Sequence, residues 1–107
     1  MSAPDRLLGA IGLCKRAGKL ISGVPLICTE MRKGGPIQAV LAARDASDNT
    51  KKKLNDKCKY YGVTLQLLPY TAEELAAAVG KDAPIGAVAI TDARLMQMVK
   101  EHLPAQE

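Results

Sequence analysis

Along the chain, segments with apolar residues three or four positions apart alternate with short continuous apolar runs, which predicts helices and strands in strict alternation. Three short apolar runs bounded by turn residues predict buried strands at residues 37–43 (IQAVLAA), 63–68 (VTLQLL) and 85–91 (IGAVAIT). Residues 19–22 predict a further, short strand. Apolar residues three or four positions apart predict a first helix, and they are Leu7, Leu8, Ile11, Cys14 and Ala17.

Capping and turn residues indicate four more helices between and after these strands. Ser22-Gly23 followed by Pro25 is typical of a helix start. A third helix is predicted from about residue 50 to 61, a fourth after the capping box Thr71–Glu74, and a fifth after Asp92. This order predicts an α/β protein in which a sheet lies between layers of helices.

The length and composition set the scale of the fold. A chain of 107 residues, of which 48% are hydrophobic, can bury one core without a metal or a disulfide. We see no linker, internal repeat or low-complexity segment, so we expect a single domain that spans residues 1–107. No apolar run reaches the length of a membrane span, which predicts a cytoplasmic protein.

The charge and the cysteines narrow the function classes. A net charge of +4 and a pI near 9.1 favour a polyanionic partner, but only weakly. The run Lys51–Lys53 is interpreted first as a solvated helix face and second as a phosphate contact. The three cysteines, Cys14, Cys28 and Cys58, are widely spaced, which predicts reduced, buried thiols and no zinc site.

Catalysis is not expected. The single histidine, His102, lies on the last predicted helix, with no paired nucleophile. The sequence contains no Gly-x-Ser-x-Gly elbow, P-loop or dinucleotide fingerprint. Asp45 and Asp48 are interpreted as helix caps rather than metal ligands. We therefore expect neither a cofactor nor a bound metal.

The start of the second predicted helix is the strongest candidate for a binding site. A helix N-terminus offers free N–H groups and the positive end of the helix dipole, and Gly23 allows a close approach of another backbone. Lys15, Arg16 and Lys19 precede it and Lys33 follows it. The residues alone leave two interpretations open, a phosphate-binding helix end and an ordinary strand-to-helix turn.

Six segments distributed along the chain form a recognisable set, and they are RAGKLISG, RKGG, AVLAARDASDNTKKK, KCKYYGV, AEELAAAVGKD and AVAITD. Over residues 5–103 the sequence that contains them resembles the L-seven-Ae (L7Ae) family of kink-turn-binding ribosomal and ribonucleoprotein proteins, in its bacterial YlxQ-like branch. The resemblance implies a three-layer α/β/α sandwich with a mixed four-stranded central sheet. It also implies a non-catalytic RNA-binding protein that is associated with the ribosome or with translation.

The family grips RNA at the start of its second helix with a Gly-Thr-Asn-Glu-x-x-Lys pattern. In this sequence only Gly23 matches, while Pro25 and Leu26 stand at the Asn and Glu positions. Neither side chain can hydrogen-bond to a base edge, and good base contacts contribute about 1–3 kcal/mol each. We therefore expect retained backbone binding and reduced base recognition. The site residues implied here are Ser22, Gly23, Val24, Pro25 and Thr29, which stands at the Lys position.

A second family contact is an apolar loop that covers a flipped-out base, and it aligns with Ala83, Pro84 and Ile85. The basic residues assigned to the same interface are Lys15, Arg16, Lys19 and Lys33. The implied partner is structured RNA, either ribosomal RNA or another RNA that contains a kink-turn, with the ribosome as a further candidate. Neither DNA nor a membrane is expected as a partner.

Two other functions are compatible with the residues. The first is a protein-interaction module on the same fold, with Val24-Pro25-Leu26 as an exposed docking patch. A protein partner would then protect Val24 and Leu26, whereas RNA would protect Lys19 and Lys33. The second is an accessory domain of an RNA-modifying enzyme, which a chain of 107 residues disfavours.

Overall fold

Five helices and four strands alternate along the computed structural model, which describes residues 3–103. The predicted order of elements is confirmed, and the strands occupy the centres of the predicted apolar runs. The elements are α1 (Ala3–Arg16), β1 (Leu20–Ser22), α2 (Val24–Arg32), β2 (Ala39–Ala42), α3 (Asp48–Tyr61), β3 (Thr64–Leu67), α4 (Ala72–Ala78), β4 (Ala87–Ile90) and α5 (Ala93–Lys100).

The four strands form one mixed sheet in the order β1-β4-β2-β3. The last strand, β4, lies antiparallel to both of its neighbours, with Leu20 of β1 and Ala39 of β2 each opposite Ile90. The outer pair, β2 and β3, is parallel. All four residues of β2 and all four of β4 are buried, because helices cover both faces of these central strands.

Successive residues of the central strands contribute to two separate cores. On one face Leu41 and Val88 pack in a cluster with residues of α1, α4 and α5. On the other face Val40 and Ala89 pack in a cluster with residues of α2 and α3, among them Leu54. Helices therefore cover the sheet on both sides, which confirms the predicted three-layer α/β/α sandwich. Among residues 3–103, no helix is long and apolar enough to cross a membrane.

The start of α3 is capped by a different residue from those predicted. Ser47 is the N-cap, and its Oγ accepts a hydrogen bond from the backbone N–H of Thr50 at 3.1 Å. Asp48 lies inside the first turn of α3. The carboxylate of Asp45 accepts a hydrogen bond from the backbone N–H of Ala72 at 2.8 Å, so it joins the β2–α3 loop to the start of α4. The prediction for Asp48 was therefore wrong, and Asp45 bonds to a distant helix start rather than to the one that follows it.

All three cysteines are free and buried, as the sequence predicted. Burial, with a smaller contribution from the nearby Cys28, raises the pKa of the Cys58 thiol from 9.0 to about 11. Burial also raises the pKa of Cys14. These thiols are therefore protonated in the folded protein at neutral pH.

The pKa of Cys58 makes stability depend on pH in the alkaline range. Its stabilising contribution is complete below pH 9, where the thiol is protonated in both states, and is lost as the pH rises through about 11. The loss reaches about 2 kcal/mol at pH 11. We predict that the free energy of urea unfolding falls by about this amount more in the wild type than in Cys58→Ala between pH 8.5 and pH 11. A constant difference between the two proteins would contradict the assignment.

Candidate nucleic-acid interface

Three helix starts meet at one edge of the sheet, because β1, β2 and β3 each lead into a helix there. The antiparallel pairing of β4 with β1 and β2 brings the ends of both strands to the start of β4. The Gly23 N–H donates to the Ala87 carbonyl oxygen at 3.0 Å, and the Ala43 N–H donates to the Gly86 carbonyl oxygen at 2.8 Å. We call the region formed by the starts of α2, α3 and α4 and residues 83–86 the helix-start edge.

The start of α2 lacks the side-chain cap that the starts of α3, α4 and α5 possess. Gly23 is its N-cap, with φ 98° and ψ 140°, and no side-chain cap hydrogen bond is made. The first N–H to bond inside the helix is that of Ile27, which donates to the Gly23 carbonyl oxygen at 3.1 Å. The N–H groups of Val24 and Leu26 precede it and remain as donors, whereas Pro25 has none. The caps of the other described starts, α3 to α5, are Ser47, Thr71 and Asp92.

Ser22 does not cap α2, in contrast to what the sequence suggested. It is the last residue of β1, where it lies opposite Val88, and Gly23 takes the capping position instead. Among the described residues, the Ser22 hydroxyl oxygen is buried without a hydrogen-bond partner. A buried polar group left in this state costs about 1–3 kcal/mol, and such groups are uncommon away from functional sites.

The three residues after Gly23 differ in exposure. Val24 is half-buried. It lies beside Gly86 and Thr50, because a Cβ atom placed on Gly86 would be only 3.5 Å from Val24 Cγ2 and 3.7 Å from Thr50 Cγ2. Pro25 is exposed, and the Leu26 side chain is 59% exposed. The start of α2 therefore presents an apolar surface next to its free N–H groups.

The predicted apolar loop lies beside this surface. Ala83 and Pro84 are exposed, and Ile85 is half-buried. The Ile85 N–H donates to the Ala72 carbonyl oxygen at 3.2 Å, which fixes the loop against the start of α4. Because Gly86 follows directly and lies beside Val24, this loop and the start of α2 are neighbours at the helix-start edge.

Thr29 belongs to the second turn of α2 rather than to its start. Its hydroxyl donates to the Pro25 carbonyl oxygen at 3.0 Å, and a guanidinium N–H of Arg32 donates to Thr29 Oγ1 at 3.4 Å. The hydroxyl is thus engaged within the helix.

Two of the predicted basic residues lie away from the helix-start edge. Lys19 is at the opposite end of β1, where its carbonyl oxygen accepts from the Thr91 N–H at 3.0 Å. Lys33 is the C-cap of α2, and its ammonium lies 3.8 Å from a carboxylate oxygen of Glu30. The length of β1 separates Lys19 from Gly23, and the length of α2 separates Lys33 from it. Both residues are close to Gly23 in sequence but not in the structure.

The other two predicted basic residues take separate positions. Arg16 lines a groove between α1 and α4, together with Gly12 and Ala78, on the opposite face of the sheet from α2. Lys15 lines a groove along β1 that also includes Leu26 and Lys81. Of the four predicted basic residues, Lys15 is therefore the one that shares a surface with α2 near its start.

Basic groups at the helix-start edge come from Arg44, which the sequence did not single out, and from the run Lys51–Lys53, for which a phosphate contact was the second interpretation. Arg44 is exposed just after β2, and its N–H donates to the Tyr70 carbonyl oxygen at 2.8 Å. The ammonium of Lys51 donates to the Arg44 carbonyl oxygen at 2.7 Å, while Lys52 beside it is exposed. Their position in the sequence could have identified these residues. Residues between the end of a strand and the start of the next helix lie at the same edge of the sheet as the corresponding residues after neighbouring strands.

Nothing in this region resembles a metal site. Within the part of the chain that the structure describes, no group of three or more His, Cys, Asp or Glu side chains could hold a metal ion.

Sequence comparisons relate the chain to a family and to curated proteins. The model of the ribosomal protein L7Ae/L30e/S12e/Gadd45 family matches residues 5–99. The RNA-binding protein YlxQ of Bacillus subtilis is 42% identical over 82 residues, which cover 77% of this chain and 79% of that protein. The RNA-binding protein YlxQ of Enterococcus faecium is 40% identical over 77 residues, which cover 72% of this chain and 73% of that protein.

Solved structures confirm the fold. A protein of unknown function from Bacillus halodurans superposes with a TM-score of 0.79 at 27% identity, covering 90% of this chain and 94% of that one. The 15.5 kD RNA binding protein of Giardia lamblia superposes with a TM-score of 0.74 over 95% of this chain and 86% of that one. At 18% identity, the second likeness concerns the fold alone.

The backbone at Gly23 generates a stability prediction. At φ 98° and ψ 140°, a residue with a Cβ is strained, and we expect Gly23→Ala to lower the free energy of unfolding by about 1–3 kcal/mol. Gly9→Ala is the matched control, because Gly9 lies in α1 with no atom within 4 Å of an added Cβ. That change should raise stability by about 0.5–1 kcal/mol. Equal effects of the two substitutions in denaturant unfolding would contradict the strained start of α2.

Proposed function

Because the chain belongs to the ribosomal protein L7Ae/L30e/S12e/Gadd45 family, we propose that it is a non-catalytic RNA-binding protein. The RNA it contacts is structured and kink-turn-like, and the contacts are made by the start of α2 and by the loop before β4. The protein acts in the cytoplasm, in association with the ribosome or with translation.

The observation that carries this proposal is the uncapped start of α2 beside the apolar loop 83–85. The N–H groups of Val24 and Leu26 can donate to a phosphate oxygen, and Gly23 lets the RNA backbone approach. Pro84 and Ile85 supply an apolar surface against which an unstacked base can pack. A phosphate and a neighbouring base are what these two surfaces can hold at once.

The side chains at the start of α2 limit how much base sequence the site can recognise. Pro25 and Leu26 have no polar side-chain atoms, so neither can bond to the edge of a guanine. Binding then depends mainly on backbone charge and on RNA shape, which makes it sensitive to salt. The binding we propose is therefore weaker in base specificity than the pattern Gly-Thr-Asn-Glu-x-x-Lys would give.

Positive charge for the RNA backbone comes from two sides of the helix-start edge. Arg44 and Lys52 lie on the side of α3, and Lys15 and Lys81 line the groove along β1. Lys19 and Lys33 lie at the far end of the sheet, so they would reach only an RNA long enough to extend past β1 or α2. We assign Arg44 and Lys52 to the central contact, and Lys15 and Lys81 to RNA that extends along the groove beside β1.

The direct test is binding to a kink-turn RNA and to a plain duplex of equal length at two salt concentrations. We expect the kink-turn RNA to bind more tightly, and affinity for both RNAs to fall with salt. Equal affinities would contradict the kink-turn preference but retain RNA binding. Absence of binding to either RNA at low salt would contradict the proposed function.

Arg44 provides a test at the level of one residue. We predict that Arg44→Gln weakens kink-turn binding about three- to tenfold and lowers the slope of log affinity against log salt by about 0.7–0.9, the value for one phosphate contact. Arg94→Gln is the matched control, since Arg94 is also exposed but lies in α5, which follows the opposite end of β4. Equal effects of the two substitutions would exclude a specific role for Arg44.

One observation favours the second candidate, a protein-interaction module. Leu26 is 59% exposed next to the exposed Pro25 and the half-buried Val24, so the three side chains form a small apolar patch on which a protein partner could pack. Amide hydrogen exchange of the protein, measured after mixing with cell-extract fractions whose RNA and protein contents are known, distinguishes the two functions. A protein partner would slow exchange around Leu26 alone, whereas RNA would also slow it around Gly86.

A further inference from the structure

The outer side of α3 combines lysines with exposed tyrosines in a single groove. Lys52, Lys53, Lys57, Tyr60 and Tyr61 line this groove, and its other lining residues are Asn49 and Asp56. The whole helix carries five lysines against two aspartates, so its outward side is positively charged. Alternating basic and aromatic groups of this kind are typical of surfaces that bind unpaired nucleotides.

Tyr60 is the residue that a simple solvated helix face does not explain. Its side chain is 82% exposed, the largest value among the large hydrophobic residues that the structure describes. The ring of Tyr61 stands nearly perpendicular to it, with the two ring centroids 4.9 Å apart and an interplanar angle of 84°. This edge contact supports the Tyr60 ring and leaves it accessible to a ligand.

The direction of α3 connects this groove to the helix-start edge. Thr50 in its first turn lies beside Gly86 and Val24, as the distances at Gly86 show. The helix then runs away from the edge, and Lys53, Lys57 and Tyr60 follow at spacings of four and three residues. From Lys52 to Tyr60 the helix rises about 12 Å, so the groove is long enough for a few nucleotides rather than for a single ion.

We propose that the outer side of α3 is a second RNA contact, at which an unpaired nucleotide stacks on Tyr60 while Lys53 and Lys57 bind the flanking phosphates. The proposal rests on the proposed function, because the unpaired nucleotide is an extension of the RNA held at the helix-start edge. A second copy of the chain is disfavoured on this surface, since two such faces would place lysines opposite lysines.

The experiment compares a kink-turn RNA with the same RNA carrying about eight unpaired adenosines at the 5′ or the 3′ end. For the wild-type protein, one of the extensions should raise affinity about tenfold, as expected for one stacked base. Tyr60→Ala should remove this gain and leave binding of the unextended RNA unchanged, while Tyr60→Phe should keep it. Because the chain has three tyrosines and no tryptophan, tyrosine fluorescence should fall on binding of the extended RNA in the wild type.

The contribution of lysine charge to binding of the RNA extension can be tested with two substitutions on α3, one inside the groove and one outside it. Lys57→Gln should reduce the gain from the extension, whereas Lys59→Gln should not, because Lys59 lies on the same helix but outside the groove. Both substitutions remove one charge from an α-helix, so a general charge effect would appear in both and would overturn the local assignment.

The outcomes separate this inference from the function on which it rests. Binding of the unextended RNA with no gain from either extension would overturn the α3 contact and leave the proposed function intact. Absence of binding to all three RNAs would overturn both. If the gain in affinity from the extension survives in Tyr60→Ala, the α3 contact is also overturned. The same holds if sedimentation shows that the wild type self-associates and that Tyr60→Ala does not, because Tyr60 would then belong to a self-association surface.

Discussion

The insertion of β4 between β1 and β2, antiparallel to both, is the constraint on which the rest of the structure depends. The last strand in the chain thereby pairs with the first two, and its four residues are fully buried. This pairing joins the start of the chain to its end and divides the helices into α1, α4 and α5 on one face and α2 and α3 on the other. It also determines which loops share an edge.

The binding surface is a direct consequence of that arrangement. Once Gly23 bonds to Ala87 and Ala43 bonds to Gly86, the starts of α2 and α3 lie on either side of the first residues of β4. The starts of α3, α4 and α5 are capped by side chains, whereas α2 keeps its donors free. Within residues 3–103, the buried hydroxyl of Ser22 has no partner at the same place, which lowers the stability of the folded state. The free N–H groups of α2 are open to solvent and can donate to an RNA phosphate at this edge.

The sequence was sufficient for the elements and for the fold class, because periodicity and caps are local properties. The capping box at Thr71 and Glu74 and the cap at Asp92 are confirmed in detail. It was insufficient for the distribution of charge, because that distribution depends on strand order. Lys19 and Lys33 are near Gly23 in sequence but distant along β1 and α2, whereas Arg44 is distant in sequence but lies at the same edge.

RNA binding at the helix-start edge can be measured through the amide chemical shifts of the protein, followed by NMR during titration with a kink-turn RNA. We expect the largest shifts at the Val24, Leu26 and Gly86 amides, with small changes at Lys19 and Lys33. Shifts concentrated at Lys19 and Lys33, with none at Val24 or Gly86, would place the RNA at the opposite end of the sheet and would contradict binding at the helix-start edge.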